Sequence, residues 1–294
     1  MKSAIVLLGY GSPDSKEGIL EYLRDVYGGK EPPERAITET MNKYSAFGYV
    51  SPSTAILENL RKKFQSQMSD SDVFLAFKHW KPSMIEIAAR IIENGYRDVF
   101  LMPLFPIRNR SIMKSYNEPF MKNLGETDHV SVRTLNGMEN IPELAKYWTD
   151  SLAKTYSKES DMVIFTAHSL PHRVQDEREY YMNFVSMAAE IAEGSGIENW
   201  TYAFQSRGFY GTHWLEPSIQ KRVNELNRER FSRVTIVPTG FLYDHLEVLY
   251  DMDTLIGKQI RAMGIEYRRV ALPNDSTESV NILKKAVEML NDRQ

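Results

Sequence analysis

The chain has 294 residues, 42% of them hydrophobic, and its 36 Lys and Arg residues nearly balance its 39 Asp and Glu residues, for a formal net charge of −3. This composition is typical of a globular protein and disfavours a disordered or collagen-like chain; it also disfavours a nucleic-acid partner, because phosphate backbones attract an excess of Lys and Arg. The absence of cysteine excludes disulfides, thiolate nucleophiles and cysteine-ligated iron–sulfur clusters.

Eight short apolar runs rich in β-branched residues predict buried parallel strands. In chain order they cover 4–8, 73–77, 99–104, 130–135, 162–166, 201–204, 234–237 and 267–272. Between them lie longer segments with helical spacing, such as Ile85, Ala88, Ala89 and Ile92. Alternation of strands and helices predicts an α/β fold.

The predicted strands form two sets of four, which favours two halves of similar architecture. We place an N-terminal half over 1–140 and a C-terminal half over 141–294. Whether the last helix packs on its own half or back on the first half stays open. The first two strands are too far apart for a single crossover helix, so a helical insertion is expected. Its helices are predicted at 14–26, 34–46 and 53–68, with an exposed turn at 28–33.

The chain shows no segment that predicts export or membrane insertion. Its first apolar run, 4–8, is too short for a signal peptide, and the longest apolar stretch, 99–107, contains two prolines and is far below the roughly 20 residues of a membrane span. We therefore expect a cytoplasmic protein without a transmembrane segment. Peripheral membrane contact stays open, although no strongly amphipathic basic helix is visible.

Chemically active side chains follow most of the predicted strands, where ligands bind in open α/β sheets. They are Tyr10, Lys78, His79, Arg108, Arg110, His168, Ser206, Arg207, Asp244, His245 and Glu247. If the two halves face each other, these groups converge on one cleft. Common cofactor motifs fail here: Asp14 stands where a dinucleotide fingerprint needs its third glycine, and Ser169 lacks the glycines of a nucleophile elbow.

Two residues are the strongest candidates for general-base chemistry. His168 follows an apolar strand and precedes Ser-Leu-Pro, so its imidazole is expected in a partly desolvated place at the sheet edge. Glu247 lies near the start of a predicted helix, and Asp251, four residues on, shares its face. The structural alternatives are that Asp244 caps the helix, that Glu247 only complements the helix dipole, and that Tyr116 and Trp214 are core aromatics.

Three motifs in order resemble those of the ferrochelatase family. They are residues 166–171 (Thr-Ala-His-Ser-Leu-Pro), residues 205–207 (Gln-Ser-Arg) followed by Trp214-Leu215, and residues 244–251 (Asp-His-Leu-Glu-Val-Leu-Tyr-Asp). The similarity extends from residues 9–13 through Ser51 and Lys78-His79, and so spans nearly the whole chain. Tyr10 makes it most similar to the Gram-positive coproporphyrin ferrochelatase type.

The resemblance implies a fold, a reaction and a set of site residues. The fold consists of two flavodoxin-like (Rossmann-like) halves, each with a four-stranded parallel sheet, and a porphyrin cleft between them, as in class II chelatases. The reaction is insertion of ferrous iron into a free porphyrin in haem biosynthesis, with two protons released and neither an organic cofactor nor an iron–sulfur cluster. His168 and Glu247 are the implied metal-site and proton-accepting pair, and Asp251 extends that acidic track.

The remaining implied residues bind the porphyrin. Tyr10 lies on the opposite face of the macrocycle, within reach of the metal in the product, while the others serve the propionates, the cleft wall or the porphyrin edge. They are Ser51, Lys78, His79, Tyr116 and Trp214. The expected partners are porphyrin and ferrous iron, and the expected enzyme is a monomer.

Three questions stay open on the sequence alone. Protoporphyrin IX and coproporphyrin III are both candidate substrates. A cobalt or nickel chelatase of the sirohydrochlorin type is the enzymatic alternative, and it is expected to carry a second metal-site histidine where Glu247 stands. A non-catalytic haem or tetrapyrrole carrier that uses Tyr10 as its ligand is the other, although a carrier needs no proton acceptor such as the pair of His168 and Glu247.

Overall fold

All eight predicted strands are present in the computed structural model, which describes residues 2–125, 129–158, 161–171, 177–208 and 213–292. Their ends differ from the predicted ones by a few residues. The strands are β1 (Ser3–Gly9), β2 (Ser71–Phe77), β3 (Asp98–Pro103), β4 (Ser131–Thr134), β5 (Asp161–His168), β6 (Trp200–Gln205), β7 (Arg233–Val237) and β8 (Glu266–Arg269).

The strands form two four-stranded, fully parallel sheets with the same topology. The orders are β2-β1-β3-β4 and β6-β5-β7-β8. In each sheet the winding reverses beside the first strand, between β1 and β3 and between β5 and β7, and such switch points are where open α/β sheets bind ligands. The predicted fold class of two flavodoxin-like halves is confirmed.

Helices connect the strands, as parallel pairing requires. They are α1 (Gly18–Val26), α2 (Glu34–Ser45), α3 (Ser53–Gln65), α4 (Met84–Glu93), α5 (Arg110–Leu124), α6 (Pro142–Ala153), α7 (Glu177–Gly194), α8 (Ile219–Asn224), α9 (Leu246–Val248), α10 (Gly257–Ala262) and α11 (Thr277–Asn291). A π-helix (Leu249–Ile256) joins α9 to α10. The helical insertion between β1 and β2 has the three predicted helices, but Pro32 in the predicted exposed turn is buried.

The chain divides into two compact units. The first takes residues 1–104, 112–137 and 274–294, and the second takes residues 105–111 and 138–273. Helix α11 thus belongs to the first unit, where it packs on α3 and where Lys63 Nζ lies 2.8 Å from Asp275 Oδ2. The short segment 105–111 belongs to the second unit.

Each unit has its own apolar core on a face of its sheet. In the first, α4 and α5 cover residues of β1, β2 and β3, including Val6, Ala76 and Leu101. In the second, Met252 and Ile256 of the π-helix pack on residues of β5, β6 and β7. No helix among the described residues combines the length and apolar character that a membrane span needs.

Most of the apolar residues whose helical spacing is visible in the sequence of α4 do not face the core. Ile85 is 59% and Ile92 44% exposed. The buried residues are Met84, Ile87, Ala88 and Ile91, one position earlier. The helix start is set by a capping box in which Ser83 and Glu86 bond each other's backbone N–H, and this start, together with packing on the sheet, decides which apolar stripe faces inward.

Candidate active site

His168 is the last residue of β5, at the switch point of the second unit's sheet, and 28% of its side chain is exposed. The ring Nδ1 lies within hydrogen-bond distance of the Ser169 carbonyl. A carbonyl only accepts, so Nδ1 carries a proton and, in the neutral ring, Nε2 carries the lone pair. The Tyr180 hydroxyl donates to the backbone carbonyl of His168 at 3.0 Å and holds the strand end in place.

Glu247 meets this lone pair from the segment after β7. Its Oε1 lies 3.4 Å from His168 Nε2, so the structure brings together two residues that are 79 positions apart. Gln205 Nε2 donates to the Glu247 carbonyl at 2.9 Å. Gly240 makes the approach possible, because a Cβ at this position lies only 2.6 Å from the Cα of Ala167.

The helix that carries Glu247 begins later than predicted. Its N-cap is His245, whose Nδ1 accepts from the Glu247 N–H at 3.3 Å, whereas the sequence suggested Asp244. Asp244 instead forms an ion pair with Arg269, 3.2 Å between Oδ1 and Nη2. Asp244 therefore ties the segment after β7 to β8 rather than capping the helix.

The electrostatics of His168 result from two opposing effects. Burial lowers its pKa, but the negative charge of Glu247, its contact with that carboxylate, the Ser169 carbonyl and the charge of Asp251 together outweigh burial. The pKa of His168 is therefore raised above its ordinary value of 6.5. A raised pKa makes the neutral ring a stronger base.

Asp251 lies in the π-helix, not in the predicted α-helix. Its Oδ2 accepts a 2.6 Å hydrogen bond from Ser206 Oγ, and Ser206 has a φ of +57°, which is uncommon for a residue other than glycine. Within the described residues, no three His, Asp or Glu side chains gather closely enough to hold a metal ion. The predicted three-residue metal set therefore stays a prediction, and the close pair is His168 with Glu247.

Trp214 lies beside the segment that follows His168. It forms an isolated antiparallel bridge with Pro171, and the Leu215 N–H donates to the Leu170 carbonyl at 3.0 Å. Its ring lies against Gly208, where an added Cβ comes within 3.0 Å of the indole. The middle motif and the histidine motif are thus packed together in the second unit.

Two of the other predicted residues, Tyr10 and His79, contact each other in the first unit. Tyr10 follows β1, and its ring centroid lies 4.7 Å from that of His79 in an edge arrangement. His79 Nδ1 lies 2.6 Å from Asp25 Oδ2 in α1. Burial lowers the pKa of His79, although the hydrogen bond to Asp25 opposes this effect.

Lys78, Tyr116 and Ser51 are less accessible than a substrate contact suggests. Lys78 Nζ donates to Ser115 Oγ at 2.9 Å and lies 5.2 Å from the ring centre of Tyr116, and burial lowers the pKa of Lys78. Tyr116 belongs to the core of the first unit. Ser51 is buried, and its hydroxyl lies 2.9 Å from that of Ser53. Their contact with substrate stays a prediction.

A sequence model of the ferrochelatase family matches residues 2–290. The chain belongs to the ferrochelatase family. It is therefore an enzyme of the metal-chelatase class of lyases, and the predicted family membership is confirmed.

Named ferrochelatases resemble the chain over most of its length. A ferrochelatase of Thermoplasma acidophilum is 36% identical over 291 residues, which are 97% of this chain and 90% of the relative. A coproporphyrin III ferrochelatase of Halalkalibacterium halodurans is 28% identical over 299 residues, covering 98% of this chain and 96% of the relative. Ferrochelatases of both descriptions are thus among the relatives.

Solved structures support the fold. SirB from Bacillus subtilis with Fe³⁺ superposes with a TM-score of 0.67 at 11% identity, over 100% of this chain and 98% of that chain. The sirohydrochlorin chelatase SirB from Bacillus subtilis subspecies spizizenii in complex with cobalt gives 0.65 at 9% identity, over 99% and 97%. At such low identity the likeness concerns the fold alone.

Sequence reasoning missed three partners in this ferrochelatase. Tyr180 and Ser206, which support His168 and Asp251, have no local sequence signal for these contacts because both are long-range. Asp25 has one: it lies in the last turn of α1, where the helix dipole disfavours a negative charge, so a specific partner is expected. The partner is His79.

Proposed function

We propose that this ferrochelatase inserts ferrous iron into a free porphyrin with His168 as the base that removes a pyrrole proton and Glu247 as its partner at the iron. The observation that carries this proposal is the 3.4 Å approach of His168 Nε2 to Glu247 Oε1, with Nδ1 of the same ring turned to the Ser169 carbonyl. Two lone-pair groups facing each other attract a proton or a metal cation between them.

The chemistry of metal insertion requires such a pair. The porphyrin nitrogens point their lone pairs into the ring plane, and two pyrrole hydrogens block the centre, so the barrier is both geometric and protonic. Binding energy from the large apolar face of the macrocycle can be used to bend it towards the metallated geometry. A neutral imidazole then accepts a pyrrole proton, which is typically worth about 10²–10⁴-fold in rate.

The same pair suits the iron. An imidazole nitrogen and one carboxylate are ligands that a divalent first-row metal accepts, and two ligands hold it weakly enough to surrender it to four porphyrin nitrogens. Asp251 adds negative charge near His168, as its contribution to the raised pKa of His168 indicates. We assign Asp251 to iron approach or proton removal.

The alternatives are less well supported by this arrangement. A sirohydrochlorin-type chelatase is expected to have a second histidine where this chain has Glu247. A tetrapyrrole carrier has no use for an imidazole whose raised pKa favours proton uptake. We propose a monomeric cytoplasmic enzyme without an organic cofactor.

The proposed activity is tested by anaerobic incubation with ferrous iron, offering coproporphyrin III and protoporphyrin IX separately and following the visible spectrum of the metallated product. Turnover of at least one is expected, and the ratio of the two kcat/KM values identifies the preferred porphyrin. If correctly folded protein metallates neither, the proposal is wrong.

Replacement of Ser206 tests the role assigned to Asp251. Ser206→Gly removes the hydroxyl but accepts the positive φ without strain, so the loop is expected to keep its path. Loss of one hydrogen bond to a charged group is worth about 1.5–3 kcal/mol at most, so the KM for iron is expected to rise by about tenfold while porphyrin affinity is unchanged. Ser206→Asn, which tolerates the positive φ and whose amide can still donate to the carboxylate, is the control. If both the KM for iron and kcat are unchanged in Ser206→Gly, the assignment is contradicted.

A further inference from the structure

A chain of three side chains in the first unit runs from α1 to the segment after β1. Asp25 Oδ2 lies 2.6 Å from His79 Nδ1, and the ring of His79 meets that of Tyr10 at 4.7 Å between centroids and 61° between planes. Exposure falls sharply along the first link, from 59% at Asp25 to 12% at His79. A solvent-facing carboxylate therefore bonds to a nearly buried ring that contacts Tyr10.

The backbone under these rings is fixed by the sheet. The Lys78 N–H donates to the Gly9 carbonyl and the His79 N–H to the Tyr10 carbonyl, both at 2.9 Å, so backbone hydrogen bonds join the two segments just beyond the ends of β1 and β2. Gly11 then turns at a φ of +97°, with Trp80 so close that an added Cβ comes within 2.8 Å. Because the main chain is held, the hydrogen bond at Nδ1 acts on the orientation of the His79 side chain.

Asp25 determines which nitrogen of the His79 ring faces α1. A carboxylate only accepts, so Nδ1 is the protonated nitrogen and the ring is held with this edge towards α1. The opposite edge, with Nε2, points away from Asp25. Without Asp25 this hydrogen bond no longer fixes the orientation of the ring, so the surface against which Tyr10 lies can change.

We propose that Asp25 is a positioning residue for porphyrin binding, which acts by holding His79 as a fixed support for the ring of Tyr10. The inference rests on the proposed function in one respect: it requires that Tyr10 contacts the porphyrin, which only the resemblance to the family implies. Outer partners that orient a histidine through a carboxylate are worth about 10–100-fold in affinity at metal sites, and an effect at the low end of that range is expected here.

Asp25→Ala tests the proposal in the full chain, with porphyrin binding measured by fluorescence quenching without iron. The dissociation constant for the preferred porphyrin is expected to rise by about tenfold, and the KM for porphyrin to rise with it, while kcat changes little. Because the nearly buried Nδ1–H of His79 loses this acceptor, the thermal midpoint is expected to fall, and porphyrin binding is measured well below it.

The matched control is Glu21→Gln. Glu21 lies one turn earlier on α1 and pairs with Lys81 at 3.4 Å, with both side chains exposed. This substitution also removes one negative charge from α1 but leaves the bond between Asp25 and His79 intact. It is expected to leave porphyrin binding unchanged.

If Asp25 acted only through its charge, its replacement would change porphyrin affinity in the opposite direction. Porphyrin carboxylates are anionic, so removing a negative charge from α1 strengthens binding if electrostatics alone matter. Asp25→Asn separates the two, because its amide oxygen still accepts from Nδ1–H: positioning predicts partial rescue relative to Asp25→Ala. Tighter binding by both variants overturns the proposal.

A double-mutant cycle tests whether Asp25 affects porphyrin affinity through Tyr10. In a Tyr10→Ala background, Asp25→Ala is expected to cause no further loss of porphyrin affinity, because the ring that Asp25 supports indirectly is gone. Equal losses in both backgrounds overturn the proposal. Since this readout uses porphyrin binding without iron, its outcome is separate from that of the metal-insertion assay, which tests the proposed function.

Discussion

Replacement of His168 by alanine is expected to lower the rate of ferrous iron insertion by about 10²–10⁴-fold, the usual worth of a general base. Porphyrin binding is expected to persist, because the binding energy comes from the apolar face of the macrocycle rather than from one imidazole. The side chain is partly exposed at the end of β5, so its removal leaves the core of the second unit intact. The measurement is single-turnover metallation beside a porphyrin titration.

His129→Ala is the control for His168→Ala. His129 is an exposed histidine before β4, in the first unit, and it is expected to be dispensable. Undiminished iron insertion by folded His168→Ala contradicts its assignment as the base. Loss of porphyrin affinity equal to the loss of rate contradicts it as well, since it indicates a role in binding.

The second large effect is the pH dependence of iron insertion and its change in Glu247→Gln. His168 acts as a base only when neutral, so activity is expected to fall as the pH drops through its pKa. Because the pKa of His168 is raised in the free protein, the acid limb of kcat/KM is expected above pH 6.5 in the wild type. Glu247→Gln removes the charge that contributes most to raising it. The limb is therefore expected to move to lower pH, while the maximal rate falls by about 10²-fold.

The same shift affects stability with a defined sign. A raised pKa in the folded state contributes stability that is fully present below the unfolded pKa, near 6.5, and is lost as the pH rises through the folded pKa. Glu247→Gln is therefore expected to destabilise the protein more at mildly acidic than at alkaline pH in urea unfolding. If the acid limb of iron insertion in Glu247→Gln stays in place or moves to higher pH, the pairing of His168 with Glu247 is contradicted.

Much of the architecture was predictable because parallel strands buried on both faces appear as continuous apolar runs. The eight runs all became strands, and their grouping into two sets matches two sheets of one topology. The register of α4 was not predictable, because Ile85 and Ile92 are as apolar as Ile87 and Ile91. Only the cap at Ser83 and packing on the sheet distinguish the two stripes.

The sequence predicted which residues belong to the site better than it predicted the distances and contacts between them. His168 and Glu247 each followed a predicted strand, but their 3.4 Å approach depends on β5 and β7 being neighbours. Asp251 was placed on an α-helix by spacing, whereas the chain forms a π-helix over that region and Ser206 bonds its carboxylate. Helix type at this level results from packing on the sheet, which local spacing does not encode.

For this protein the linear order of residues by itself determined the fold class, the position of chemically active groups at strand ends and the family, because each is carried by residue type and spacing along the chain. The tertiary structure decided which of those groups meet: His168 with Glu247 in one unit, and Asp25 with His79 and Tyr10 in the other. The physical reason is that hydrogen bonds and charge effects depend on distances of a few ångströms, and strand order and helix packing alone set such distances between residues far apart in sequence.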